Sequence, residues 1–76
     1  MTASKIDEAV LAAAEGSWRK VATIIIKAAE QLGGALPAGE AGYRLVADRL
    51  AELVRGGRLV ARGDLTQWRH SEIRLP

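Results

Sequence analysis

The pair Gly56-Gly57 separates a helical sequence pattern from a strand pattern, and this constrains the fold more than any other feature. Apolar residues recur at helical spacing in the preceding segment, V-A-D-R-L-A-E-L-V-R, and glycine commonly ends a helix in the left-handed conformation. Two later segments, R-L-V-A-R and S-E-I-R-L, alternate with the period of two that is typical of strands. A helix that leads directly into a hairpin is the second half of a winged helix. We therefore predict a mainly α protein with one β-hairpin (α+β), a degenerate winged-helix-like fold of three helices followed by a two-stranded wing.

Three helices are predicted, over residues 5–15, 18–32 and 40–55. Ser4 and Ser17 are the expected N-caps of the first two helices, because a serine side chain can accept a hydrogen bond from the first helical turn. The isoleucine run at residues 24–26 could also suit a strand, but the residues on both sides of it favour a helix. Residues 33–42 contain four glycines and predict a loop or a single turn. Residues 1–16 are expected to form an N-terminal helix beside a winged-helix-like domain at 17–76, the two making a single folded unit.

The hairpin should present an apolar face to the helices and a charged face to solvent. Its alternation places Leu59, Ala61, Ile73 and Leu75 on the inner face, and the outer face carries Arg58, Arg62 and Arg74. Among the large rings, Trp18 is expected to pack in the core or between helix and hairpin. Trp68 is expected either to cover the core or to stand out as an interaction anchor.

Composition argues against an enzyme, a metal site or a membrane span. The chain has 76 residues, no cysteine and one histidine, and it lacks recognisable phosphate-binding glycine motifs and nucleophile motifs. We therefore predict a non-enzymatic protein without cofactor or small-molecule substrate. No apolar run approaches the ~18 residues that a membrane helix needs, and the start of the chain, M-T-A-S-K-I-D-E, is polar. A cytoplasmic location is expected, and the many alanines and arginines suggest a bacterial source with GC-rich coding.

Positive charge is concentrated in the second half of the chain. Residues 1–40 carry a net charge of −1 and residues 41–76 a net charge of +3. Such an imbalance makes contact with nucleic-acid phosphates possible. The candidate contacts are Arg44, Arg55, Arg58, Arg62, Arg69 and Arg74. However, Asp48 and Glu52 share the outer face of the third helix with Arg44 and Arg55, so binding to nucleic acid is not favoured.

Surplus apolar surface in so short a chain predicts an interface with another protein, most simply a homodimer. Leu11 lies off the main stripe of the first helix, and the second helix is apolar over a wide arc. The candidate interface residues are Leu11, Ile24, Ile26 and Trp68. The leading hypothesis is therefore a non-enzymatic interaction domain that associates with itself or with a protein partner. The alternative is a winged-helix DNA-binding regulator that contacts phosphates with its basic wing.

The segments W-R-K-V-A, L-V-R-G-G-R-L, G-D-L and S-E-I-R-L resemble an uncharacterised bacterial domain family. The resemblance covers about residues 17–76 and implies a winged-helix-like fold without implying an activity. Independently of the resemblance, G-D-L-T-Q-W-R-H-S-E can be interpreted as a locked loop. Asp64 would cap the turn, Arg69 would return to Asp64, and Ser71 would bond to the loop backbone.

Overall fold

The computed structural model describes residues 2–76 and contains three helices and one three-stranded antiparallel sheet. The helices are α1 (Ala3–Ala13), α2 (Val21–Leu32) and α3 (Glu40–Arg55), and the strands are β1 (Arg19–Lys20), β2 (Val60–Arg62) and β3 (Glu72–Arg74). The fold is therefore mainly helical with a small sheet, in agreement with the predicted α+β class. Residue 1, which opens the predicted N-terminal unit, lies outside the described residues.

The predicted two-stranded hairpin is part of a larger sheet in the order β1–β3–β2. Ala61 is opposite Ile73 in the β2–β3 pair, and Arg19 is opposite Ile73 on the other side. Strand β1 was not predicted because Trp18 continues the apolar spacing of α2, and a strand of two residues is too short to show alternation. The prediction that the second helix begins at Trp18 with Ser17 as N-cap is therefore wrong, since Lys20 occupies that position and makes no side-chain cap bond.

The first helix begins and ends two residues earlier than predicted. Thr2, not Ser4, is its N-cap, and its hydroxyl accepts a hydrogen bond from the backbone N–H of Lys5 at 3.3 Å. Threonine also caps helices, and Thr2 lies two residues before the predicted Ser4. By contrast, α3 has the predicted bounds, and the segment before it contains only one 3₁₀ turn, Gly33–Ala35.

All three helices and the inner face of the sheet share one hydrophobic core. Helix α1 contributes Ile6, Ala9 and Val10, so the N-terminal helix packs into the same core as the remainder of the chain. Leu59 and Ile73 are buried, as the strand alternation predicts. Ala61 and Leu75 on the same face are partly buried, because they lie toward the edge of the core.

The structure removes Ile24 from the predicted surface and adds Tyr43 to it. Ile24 is 1 % exposed and belongs to the core, so its side chain is not available for contact with a partner. In contrast, Tyr43 follows the apolar spacing of α3 but is 37 % exposed. At the neighbouring position, Gly42 is buried, and a Cβ there would lie 2.3 Å from the carbonyl oxygen of Pro37. The backbone of the 33–39 connection thus lies against the first turn of α3, in space that only a glycine leaves open.

Candidate interaction surfaces

The outer face of α3 has a nearly balanced charge. Arg44 donates a hydrogen bond to Glu40 at 3.4 Å, and Arg55 pairs with Glu52. Each of these two arginines thus pairs with a glutamate of its own helix. Acidic side chains therefore lie among the arginines that a nucleic-acid backbone would have to approach.

The outer face of the sheet holds a compact arrangement of arginines around Trp18. The guanidinium carbons of Arg62 and Arg74 lie 4.3 and 5.1 Å from the centre of the Trp18 ring. Arg62 also donates to Glu72 at 2.9 Å, across the β2–β3 pair. Trp18 therefore does not belong to the core, which was the first of the two positions expected for it, and its ring instead lies against arginines of the hairpin. Its ring is half-buried beneath two cations, which contact it through the favourable cation–π geometry.

Arg58 and Arg69 line different depressions of the surface. Arg58 is exposed and shares a small depression with Asp7, Glu8 and Leu11. Arg69 is exposed in the 3₁₀ turn Trp68–His70, and it makes no salt bridge within residues 2–76. Arg44 and Arg69 line one depression together with Glu40. The six candidate arginines thus divide between several parts of the surface, and acidic residues lie among them.

The loop between β2 and β3 has two of its three predicted internal bonds. Asp64 accepts hydrogen bonds from both the backbone N–H and the hydroxyl of Thr66, and these bonds hold the pKa of Asp64 below its ordinary value. The buried Ser71 hydroxyl donates to the carbonyl of Gln67 at 2.9 Å. No bond joins Arg69 to Asp64 in the part of the chain that the structure describes, and Arg69 is free to contact other molecules.

An apolar groove runs along one side of α2, and we call it the α2–α3 groove. Two adjoining depressions form it, and both are lined by Ile26 and Tyr43. One depression continues past Leu36 and Pro37 to the end of α2, and the other continues past Ala22 to Trp68. Ile26 is 47 % exposed at the middle of the groove.

Of the predicted interface residues, Ile26 and Trp68 line this groove. Leu11 lies elsewhere, half-buried against the core beside charged residues of α1. Sequence reasoning did not single out Tyr43 or Leu45 as exposed, although Leu45 is 42 % exposed on α3. The exposure of Tyr43 goes with the burial of the adjacent Gly42, which the sequence pattern does not reveal.

Neither a metal-binding cluster nor a membrane-spanning helix is found in the described residues. No group of three or more His, Cys, Asp or Glu side chains among residues 2–76 is arranged to hold a metal ion. None of the helices within the same residues combines the length and apolar character needed to cross a bilayer. Comparisons with family models, with curated proteins and with solved structures found no match to this chain.

Proposed function

We propose that this chain is a winged-helix-like, non-enzymatic interaction domain that works by pairing with a second copy of itself through the α2–α3 groove. The observation that carries the proposal is the exposure of Ile26 and Tyr43 side by side in the groove, at 47 % and 37 %. Adjoining exposed apolar side chains commonly mark a protein interface, and twofold dimers are the most frequent assembly.

The order of elements supports the winged-helix-like part of the proposal. The chain runs α1, β1, α2, α3, β2, β3, and the last strand lies in the centre of the sheet. In this arrangement α3 would be the recognition helix and the loop from Gly63 to Ser71 would be the wing. Winged-helix folds often bind nucleic acid, but the acidic partners of the α3 arginines oppose such binding. The apolar groove is therefore a more distinctive surface of this chain than α3.

Sedimentation equilibrium tests the pairing directly. At protein concentrations of about 100 μM we expect a mass above the 8.1 kDa of one chain. Ile26→Asp and Tyr43→Asp should each return the mass toward that of the monomer, because they introduce charge into the apolar contact. Ala12→Asp on the exposed side of α1 is the matched control and should leave the mass unchanged. A wild-type mass of 8.1 kDa throughout would refute the proposal.

A second candidate function is DNA binding, favoured by the order of elements and by the exposed Arg58 and Arg69. If three or four arginines contact phosphates, the logarithm of the affinity should fall with the logarithm of salt concentration at a slope of about −3 to −4. Titration of a random duplex at low salt measures that slope. Absence of binding at about 50 μM protein would remove this candidate, since non-specific affinities usually lie in the range of roughly 10⁻⁴–10⁻⁶ M.

A further inference from the structure

The two ends of the α2–α3 groove carry opposite charges. Glu30 is the charged residue that lines the end near Gly33, and Arg69 is the charged residue that lines the end near Ala22. Residues 22 and 30 are about 12 Å apart along a helix that rises 1.5 Å per residue. The groove therefore has an acidic end, an apolar middle and a basic end.

Both of these charges lack a partner within residues 2–76. The salt bridges there join other residues, and neither Glu30 nor Arg69 takes part in one. Both residues are exposed. The basic end is reinforced by Lys20, whose ammonium group donates to the backbone carbonyl of Arg69 at 3.1 Å.

We propose that the second copy lies antiparallel in the groove, with a twofold axis passing beside Ile26 and Tyr43, so that Glu30 of each copy pairs with Arg69 of the other. A twofold interface uses the same surface on both copies. A twofold axis that crosses the groove at its apolar middle brings the acidic end of one groove against the basic end of the other. Both Glu30–Arg69 pairs then form at once. A parallel arrangement would instead place like charges together, which costs affinity. This inference rests on the proposed self-association and adds its geometry.

Charge reversal distinguishes this geometry from any other use of the groove. In the Glu30→Arg homodimer, two arginines would face each other at both ends, and in the Arg69→Glu homodimer, two glutamates would do so. We expect each variant to associate about tenfold or more weakly than the wild type. When the two variants are mixed, both contacts become arginine–glutamate pairs, so a heterodimer should form with near wild-type affinity.

Control variants with the same change in net charge show whether weaker association comes from the interface contact or from the overall charge of the chain. Glu8→Arg matches Glu30→Arg, and Lys5→Glu matches Arg69→Glu; both control positions are exposed on α1. They should leave association within about twofold of wild type, because surface charges distant from a contact are screened by salt. Circular dichroism would confirm that each variant folds.

The outcomes separate the two proposals. A monomeric wild type refutes self-association and the geometry with it. A wild-type dimer that is unaffected by either reversal, or reversed variants that fail to associate on mixing, would refute the antiparallel arrangement and leave self-association standing. Rescue on mixing, with Ile26→Asp still disruptive in the mixture, supports the arrangement.

Discussion

Asp7 on α1 and Arg49 on α3 form a two-bond ion pair, with Arg49 Nε 2.9 Å from Asp7 Oδ1 and Arg49 Nη2 3.0 Å from Asp7 Oδ2. The Asp7 side chain is 16 % exposed, so the pair is partly shielded from water. It joins elements that are 42 residues apart in sequence. The sequence patterns did not predict this pair.

The Asp7–Arg49 pair should make stability depend on pH. The hydrogen bond from Arg49 lowers the pKa of Asp7 in the folded protein, so the unfolded chain takes up its proton at a higher pH. The stabilisation is therefore fully present above the ordinary aspartate pKa of about 3.9 and is lost as the pH falls through the lowered value. Asp7→Asn should lower the midpoint of thermal unfolding by a few degrees at pH 7. The difference from wild type should shrink below about pH 3.5. A difference that is constant from pH 7 to pH 2 would contradict this origin.

The inner face of the hairpin should account for much of the stability. Replacing buried Leu59 or Ile73 by alanine should reduce the free energy of unfolding by about 2–4 kcal/mol, since each change removes core contacts and leaves a cavity. Chemical denaturation at constant m-value measures the change. The control is Val60→Ala on the partly exposed outer face, where a loss below about 1.5 kcal/mol is expected. Losses under about 0.5 kcal/mol at both buried positions would reject the assignment of the faces.

Gly42 should not tolerate a side chain. A Cβ there would lie 2.3 Å from the Pro37 carbonyl oxygen, so Gly42→Ala must displace the 33–39 connection. We expect a loss of about 1–3 kcal/mol despite the better helix propensity of alanine. Gly34→Ala is the control, because nothing lies within 4 Å of its Cβ position and its φ is not positive. That variant should be neutral or slightly stabilising. Equal stabilities for the two variants would show that the close approach to Pro37 is not maintained in solution.

The Ser71 hydroxyl should contribute to stability through its bond inside the loop between β2 and β3. Ser71 is 1 % exposed, and removing its hydroxyl leaves the Gln67 carbonyl without that donor. We expect Ser71→Ala to cost about 1 kcal/mol. Amide hydrogen exchange should become faster within the turn Trp68–His70 first. Unchanged exchange there would mean that the loop is held by its other bonds, such as those from Thr66 to Asp64.

Strong local patterns predicted the helical and hairpin segments well, and contacts between distant residues were predicted poorly. Helix α3 has both an apolar stripe and a glycine end, and its bounds were predicted correctly. Strand β1 has two residues and exists only because β3 lies beside it, so no local signal could reveal it. Trp18 was misplaced for the same reason. Its ring contacts Arg62 and Arg74, which are far away in sequence.

Only some residues of the α2–α3 groove could be predicted from the sequence, for a related reason. Ile26 could be selected because its own helix is apolar over a wide arc, but the same argument also selected Ile24, which is buried in the core. A hydrophobic pattern shows which helix has surplus apolar surface, and only packing decides which side chain stays in contact with water.

The order of strands also has a consequence for synthesis of the chain. Strand β3 lies between β1 and β2, yet it is the last of the three to be made. Until β3 has been synthesised, β1 and β2 have no partner strand, and only the helices can cover the Leu59 side chain. Closure of the sheet is therefore a late event that waits for residues 72–74 to leave the ribosome. The backbone bond from the N–H of Leu75 to the carbonyl of Glu15, at 2.7 Å, forms only then. A chain that ends before residue 72 would leave β1 and β2 without their shared partner, and unpaired strand edges favour association with other chains.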